Sequence, residues 1–232
     1  YNEAMKIIKL QKDEGFFDFT DVYNISTNGN IKFYDDIIFT LYTTELIDWE
    51  LEINYSSEEQ AEYNQSYLCW HTEKVKDIFG NEQNDDYRLL YQFEKKYHGY
   101  RTLKYHKQEE KSSNGRWGNP MIPMIRMSEV YYIAAEAIYT EGDLLKIAEA
   151  KSYLEKVKKG RGIKTVDYSS VSSKNDFVNM IVNDARREFF GEGQTLYMFK
   201  RLNKVLTCDS GEIPMTEEYV VLPLPDSESN IK

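Results

Sequence analysis

The sequence predicts a mainly α fold in which paired helices sit beside an irregular, loop-rich part with a few short strands. Three observations carry that expectation. From residue 123 to 204, apolar residues recur at the spacing of one helix face. From 80 to 120, the chain is punctuated by GNEQNDD, YHGYR and SSNGRWGNP, whose glycines, asparagines and proline are turn chemistry. Runs of β-branched and aromatic residues are few and short.

Taken in order, YNEAMKIIKLQKDEG reads as the latter part of a helix, with Ala4, Ile7, Ile8 and Gln11 on one face and Gly15 at its C-terminal stop. It opens without a visible start signal, so sequence is expected upstream of Tyr1. IIFTLYT (37–43) suits a short strand. In LIDWELEINY, Ile47, Trp49, Leu51, Ile53 and Tyr55 alternate with polar residues, the period of an extended segment with one apolar face. SSEEQAEYNQSYLCW can form a helix capped by Ser56 or Ser57. RLLYQFE and YRTLKYH are candidate strands of a small hairpin.

PMIRMSEVYYIAAEAIYTEGD has the start and stop signals of a helix in Pro123 and Gly142. Its apolar stripe is Met127, Tyr131, Ala134, Ala135 and Ile138, and the alanines allow a partner helix to come close. Asp143 caps the next helix, where Leu144, Ile147, Ala148, Leu154 and Val157 face one way and Gly160 and Gly162 end the run. The short link makes the two helices antiparallel neighbours, a hairpin of tetratricopeptide-like size with no second copy at a fixed period. A third helix follows, with Ser173 and Asp176 as a capping box and Phe177, Ile181, Ala185 and Phe189 in one stripe. Gly191 and Gly193 break it, TLYMFKRLNK gives a short helix, and EYVVLPLP is an extended end stiffened by Pro223 and Pro225. The organisation is a single domain over 1–232, with a loop-rich ligand-binding region (16–122), a helical region (123–204) and an extended C-terminal segment (205–232).

Composition excludes several function classes. With 41% apolar residues, including 19 Tyr, 11 Phe and 3 Trp, the chain can bury a core. A net charge of -10 repels phosphates, so no nucleic-acid partner is expected. Cys69 and Cys208 are far apart, and His71, His98 and His106 lack metal-ligand spacing, so neither a zinc site nor a cofactor is expected. The cysteines are read as idle thiols or a disulfide, which leaves the redox compartment open. Phosphate-loop, dinucleotide and nucleophile-elbow motifs are missing, as are a signal peptide and a span of about 18 apolar residues.

The most crowded stretch is RREFFGEGQ (186–194). Glu188 and Glu192 could be the two carboxyls of a glycoside hydrolase, but such a pair faces itself across a cleft from two walls, and these lie on one element. Ion pairing with Arg186 and Arg187 is the simpler reading, so no catalytic residue is assigned. Arg126 with Glu129 is an i, i+3 surface pair, and Glu129 and Glu136 can also approach the arginines of the third helix as buried partners. Of the tryptophans, Trp117 lies in the turn-rich NGRWGNP, Trp49 on an apolar strand face, and Trp70 beside Cys69.

These residues together resemble the SusD/RagB family. IRMSEVYYIAAEA (125–137) resembles its R-x-[AS]-E-x-x-x-x-x-A-E-A helix, and DARREFFGEGQ (184–194) its E-R-R-x-E-[LF]-x-x-E-G segment. LEKVKKGRG (154–162), DDYR (85–88), TLKYHK (102–107) and LPLPDSESN (222–230) match further family stretches in the same order. Each is weak alone; their order is specific. The chain departs where the family continues E-G-x-R-x-x-D-L-x-R: Thr195 and Met198 replace the Arg and Asp, Ala185 replaces an arginine, and Arg201 remains, which marks a divergent branch.

The resemblance implies tetratricopeptide-like helix pairs and a lipid-anchored protein on the outer face of the Gram-negative outer membrane, with its anchor in an N-terminal part outside this chain. It also implies capture of a glycan or other nutrient for a SusC-type TonB-dependent transporter, without catalysis. Family binding residues lie in variable loops and do not transfer by position. The candidates here are Trp117, Trp70, Tyr100 and Arg116, in loops 56–70 and 97–120. Arg126, Glu129, Glu136, Arg186, Glu188, Glu192, Gly193 and Arg201 are expected to be structural. The rival expectations are a glycoside hydrolase using Glu188 and Glu192 and a helical-repeat adaptor that binds only protein.

Overall fold

A computed structural model describes residues 1–42, 69–96, 99–104, 121–208 and 211–216. The chain forms two compact units, Tyr1–Gly191 and Glu192–Lys232. The expected strand over 46–55, residues 56–68 of the helix expected over 56–70, and Trp49, Trp117, Arg116, Pro223 and Pro225 lie outside the described residues, while Cys69–Trp70, the end of that expected helix, are a strand paired with Tyr100 and Arg101.

In the first unit, α1 (Asn2–Glu14) ends at Gly15, whose φ of 70° accommodates the left-handed stop, and it buries Ala4, Ile8 and Gln11 as its spacing predicts. A short α2 (Val22–Ser26) capped by Asp21 and a 3-10 turn at Tyr34–Asp36 lead into β1 (Ile37–Tyr42). β1 pairs antiparallel with β5 (Met121–Arg126). The helix expected from Pro123 therefore begins only at Met127. Ile122 and Ile125 favour the extended state, and Pro123, which lacks an N–H, sits opposite Thr40 in a two-stranded ribbon, where a missing donor is tolerated.

α5 (Met127–Ile138) is the centre of this unit and packs on α1, on α6 (Leu144–Gly160) and on α7 (Lys174–Glu188). Ala134 and Ala135 are fully buried, as close helix contact requires. Asp143 caps α6 through the amides of Leu145 and Lys146. The buried face of α6 is Ala150, Tyr153, Leu154 and Val157, whereas Leu144 is 81% exposed, so its first turn does not share the predicted stripe. The α7 capping box forms as expected, and Phe177, Ile181, Ala185 and Phe189 are all buried. The Phe177 ring stacks on Tyr139 at 4.8 Å.

A three-stranded antiparallel sheet in the order β2 (Cys69–Trp70), β4 (Gly99–Thr102), β3 (Phe93–Lys96) packs on α3 (Thr72–Phe79). The β3–β4 pairing is the expected hairpin, but RLLYQFE is not one strand. Residues Tyr87–Gln92 form helix α4, because the Asp86 side chain accepts from the Arg88 amide and starts a turn. Gly99 is required by close approach, since a Cβ there would lie 2.3 Å from the Trp70 carbonyl oxygen.

The second unit holds α8 (Gln194–Arg201), preceded by Gly193 in the left-handed region, and a hairpin of β6 (Leu206–Cys208) with β7 (Gly211–Ile213). No described helix is long and apolar enough to cross a membrane.

Candidate functional site

Two places in the first unit gather the residues that the sequence singles out. One is the sheet that carries Trp70 and Tyr100, which sit directly opposite each other on β2 and β4, with Lys95 opposite Tyr100 on β3. Residues paired across a sheet point to the same face, so Trp70, Tyr100 and Lys95 form one row. Trp70 and Tyr100 are half-buried and Lys95 is exposed. The Trp70 ring stacks on Phe93 at 5.0 Å and 13°, lies 4.2 Å from Phe190, and meets Phe79 edge-on. One face of this indole is thus committed to the core. The Lys95 ammonium stands 6.0 Å over the Tyr100 ring. The structure thus brings together two of the four sequence candidates.

The other place is a buried ionic cluster around the C-terminal end of α7. Glu188 is 1% exposed. Its Oε1 accepts from Arg161 Nη2 at 2.6 Å and Ser128 Oγ at 3.1 Å, and its Oε2 accepts from Arg161 Nε at 3.0 Å and Arg88 Nη1 at 3.3 Å. Arg126 Nη1 stands 3.7 Å from the same carboxylate. Arg161 also donates to Asp36, and its guanidinium stacks 4.4 Å from the Phe33 ring and 4.9 Å from the Phe19 ring. Phe33 has a φ of 56°, a strained value for a bulky residue, and is fully buried there.

One layer away, Arg88 grips Asp86 with two nitrogens at 2.7 and 2.8 Å and reaches Asp184 at 2.8 Å, while the Tyr132 hydroxyl donates to Asp184 at 2.5 Å. Arg187 donates to the Ile78 carbonyl, Glu82 and Asp86, with its guanidinium 5.0 Å from the Phe79 ring. Lys158 pairs with Glu82 at 2.8 Å. Lys104, also buried, donates to the backbone carbonyls of Glu188 at 2.5 Å and Phe190 at 3.3 Å, a cation at the negative end of a helix dipole.

Burial by itself would push both inner carboxyls up. For Glu188, Arg161, Arg88 and Arg126 outweigh burial and hold the group well below the ordinary range. For Asp184, Arg88, Lys158 and Arg187 do the same. Asp36 goes the other way, because its burial outweighs Arg161 and Arg126. Tyr132 is pushed up by burial and by Asp184 beside it.

This arrangement removes Glu188 as a general acid or base for an external substrate, because solvent cannot reach it and both oxygens are occupied. It also changes the expected pairing. Glu188 is held by Arg161, Arg88 and Arg126 from other elements, and Arg187 turns to Glu82 and Asp86. Arg186, Glu129 and Glu136 are half-buried. Glu192, Gly193 and Arg201 belong to the second unit. The reading of single motifs misses Asp36, Asp86, Arg88, Lys104, Lys158, Arg161 and Asp184. The signal was present: DDYR supplies Asp86 and Arg88, TLKYHK supplies Lys104, LEKVKKGRG supplies Lys158 and Arg161, IRMSEVYY supplies Arg126, Ser128 and Tyr132, and DARREFF supplies Asp184, Arg187 and Glu188. Motifs scattered over a hundred residues meet in one place.

No group of three or more His, Cys, Asp or Glu among the described residues is arranged to hold a metal ion.

Comparison with known proteins is consistent with this architecture. A model of the SusD family matches residues 10–208. The structure is similar to that of a SusD superfamily protein from Bacteroides thetaiotaomicron VPI-5482, with a TM-score of 0.63 and 23% identity over 100% of this chain and 54% of that one. It is similar to a SusD superfamily protein from Bacteroides vulgatus ATCC 8482, with a TM-score of 0.60 and 17% identity over 92% of this chain and 48% of that one. A SusD-like carbohydrate binding protein from the same organism gives a TM-score of 0.57 and 17% identity over 97% of this chain and 52% of that one. The chain thus spans about half the length of these relatives. Among curated proteins, none matches.

Proposed function

The chain belongs to the SusD family, and on that premise we propose that it is a nutrient-binding protein that captures an oligosaccharide or polysaccharide without cleaving it. The bound glycan passes to a SusC-type TonB-dependent transporter at the outer face of the outer membrane. A lipid anchor outside this chain holds the protein there. The observation that carries this reading is the family match over residues 10–208, joined to a solved relative of the same fold that is described as carbohydrate binding. Aromatic faces stack on the apolar C–H faces of sugars, and Trp117 and Arg116 in the turn-rich stretch, with the half-buried Trp70 and Tyr100, are the proposed contacts. Glu188, enclosed by arginines, plays no part in ligand chemistry.

The test is titration of the protein with a panel of oligosaccharides, followed by tryptophan fluorescence and calorimetry. Saturable binding with the sugar recovered intact is the expected result. A panel in which nothing binds overturns glycan capture. Product release that survives Glu188→Gln points to a hydrolytic site elsewhere, and product release that Glu188→Gln abolishes overturns the structural role of this residue.

A further inference from the structure

The turn between α2 and the 3-10 segment contains Asn28–Gly29. An asparagine before glycine is the sequence most prone to cyclise, because no Cβ on the following residue shields its backbone nitrogen. Here Gly29 has a φ of 74°, and a Cβ added to it would meet nothing within 4 Å. Its carbonyl accepts from Ile31, while its N–H donates to none of the described residues. The nucleophile is therefore not tied up in a backbone hydrogen bond.

What makes this pair consequential is its surroundings. Asp21 Oδ2 accepts from Asn24 Nδ2 at 2.8 Å, and Asn24 Oδ1 accepts from Asn28 Nδ2 at 2.7 Å, a relay along the face of α2. Immediately beyond Gly29 is Asn30, fully buried. Its backbone amide donates to the Asn24 carbonyl at 3.0 Å, its Nδ2 donates to Asp35 at 2.9 Å, and its Oδ1 accepts from the Tyr34 amide at 3.0 Å. That bracing shapes the turn that delivers Asp36 to Arg161.

We propose that Asn28–Gly29 is a site of spontaneous amide-to-acid conversion, and that conversion loosens the Asn30–Asp36 turn from the buried ionic cluster. The Gly29 nitrogen attacks Asn28 Cγ, the Cγ–Nδ2 bond breaks, and ammonia leaves with the proton given up by Gly29. Water then opens the cyclic imide at either carbonyl, giving aspartate or isoaspartate. In both products the donor to Asn24 Oδ1 is replaced by a carboxylate, so two acceptors face each other. Flipping the Asn24 amide does not relieve this, since its oxygen would then face Asp21 Oδ2. Isoaspartate also adds a methylene to the backbone two residues before Asn30, whose four hydrogen bonds depend on the present spacing.

The test compares fresh and aged protein with a synthetic peptide of residues 22–33, both held at mildly alkaline pH. Isoaspartyl methyltransferase labelling and fragment mass spectra read the conversion. The expected result is isoaspartate at residue 28 in both, faster amide exchange over residues 30–36 of aged protein, and a fall in its Tm of about 2–4 °C. Asn28→Gln, which cyclises poorly, should stay unlabelled and keep its Tm; should that variant not fold, the fresh and aged wild-type samples alone decide. A protein that stays unlabelled while the peptide converts overturns the site. Conversion with unchanged exchange and Tm overturns the coupling to Asp36.

Discussion

The ionic cluster around Glu188 and the aromatic sheet around Trp70 lie in the same unit and are built on opposite physical terms. In the cluster, buried charges and the partly buried Glu82 pair with one another: Arg88, Arg126, Arg161, Arg187 and Lys158 face Asp36, Glu82, Asp86, Asp184 and Glu188, although Asp36 Oδ1 and Arg161 Nη1 are left without a hydrogen bond. Such a joint tolerates little change, because removing one partner leaves a charge buried and unpaired. In the sheet, Trp70 and Tyr100 are half-buried and held by packing, which tolerates exchange at lower cost. Residues with room to vary are the ones a binding surface can use, and residues locked in a mutual charge balance are the ones that identify a fold.

The comparison is broken or sharpened first at Glu188. Glu188→Ala should cost about 3–5 kcal/mol in urea denaturation, since Arg161 and Arg88 lose a shared acceptor. A change below about 1 kcal/mol would mean that the cluster does not behave as one buried network. Acid should act in the same direction. Glu188 and Asp184 have depressed pKa values in the folded state, so their contribution is complete above the ordinary carboxylate range and is lost as pH falls through the depressed values. Tm measured against pH should therefore drop on the acid side, and less steeply in Glu188→Gln.

Next comes Gly162, which follows Arg161. Its φ is 92°, and an added Cβ would lie 2.4 Å from the Asp85 carbonyl oxygen and 2.6 Å from the Tyr87 ring. Gly162→Ala should cost about 2–3 kcal/mol by the same measurement, combining strain with displacement of the turn that leads to Asp86. Trp70→Ala should cost about 2 kcal/mol, less than a fully buried aromatic, and should also weaken glycan binding through the exposed part of the ring. Trp117→Ala has the smallest expected effect on stability. It should reduce glycan affinity by about tenfold in calorimetry with no change in Tm. An unchanged affinity removes Trp117 from the contact surface.

The two regions also differ in how far they could be read from the sequence. Helix α7, its capping box and its phenylalanine stripe were legible, because capping and helical spacing are local rules. So were the end of α1 at Gly15 and the cap at Asp143. The strand at Met121–Arg126 was not, because its partner β1 lies some eighty residues away and long-range pairing overrides the proline start signal. Helix α4 was misread as strand for a related reason: RLLYQFE buries Leu89, Phe93 and the whole of Arg88, so its apolar residues do not mark a single face. That Glu188 is structural could be argued from its helix, yet its true partners could not, since Arg88, Arg126 and Arg161 are neighbours only in the fold.

Those separations have a kinetic side. Arg88 closes on Asp184 and Glu188 across 96 and 100 positions, and Arg161 closes on Asp36 across 125. Contacts so distant along the chain are reached only after large loops have been closed. During synthesis Arg88 and Arg161 emerge after Asp86 and Asp36, but the carboxylate that they share with Arg126 comes only with Glu188. The late arrival of one helix end thus completes the interior, and a chain cut before that point keeps Asp36 and Asp86 but lacks the carboxylate that Arg88 and Arg161 share.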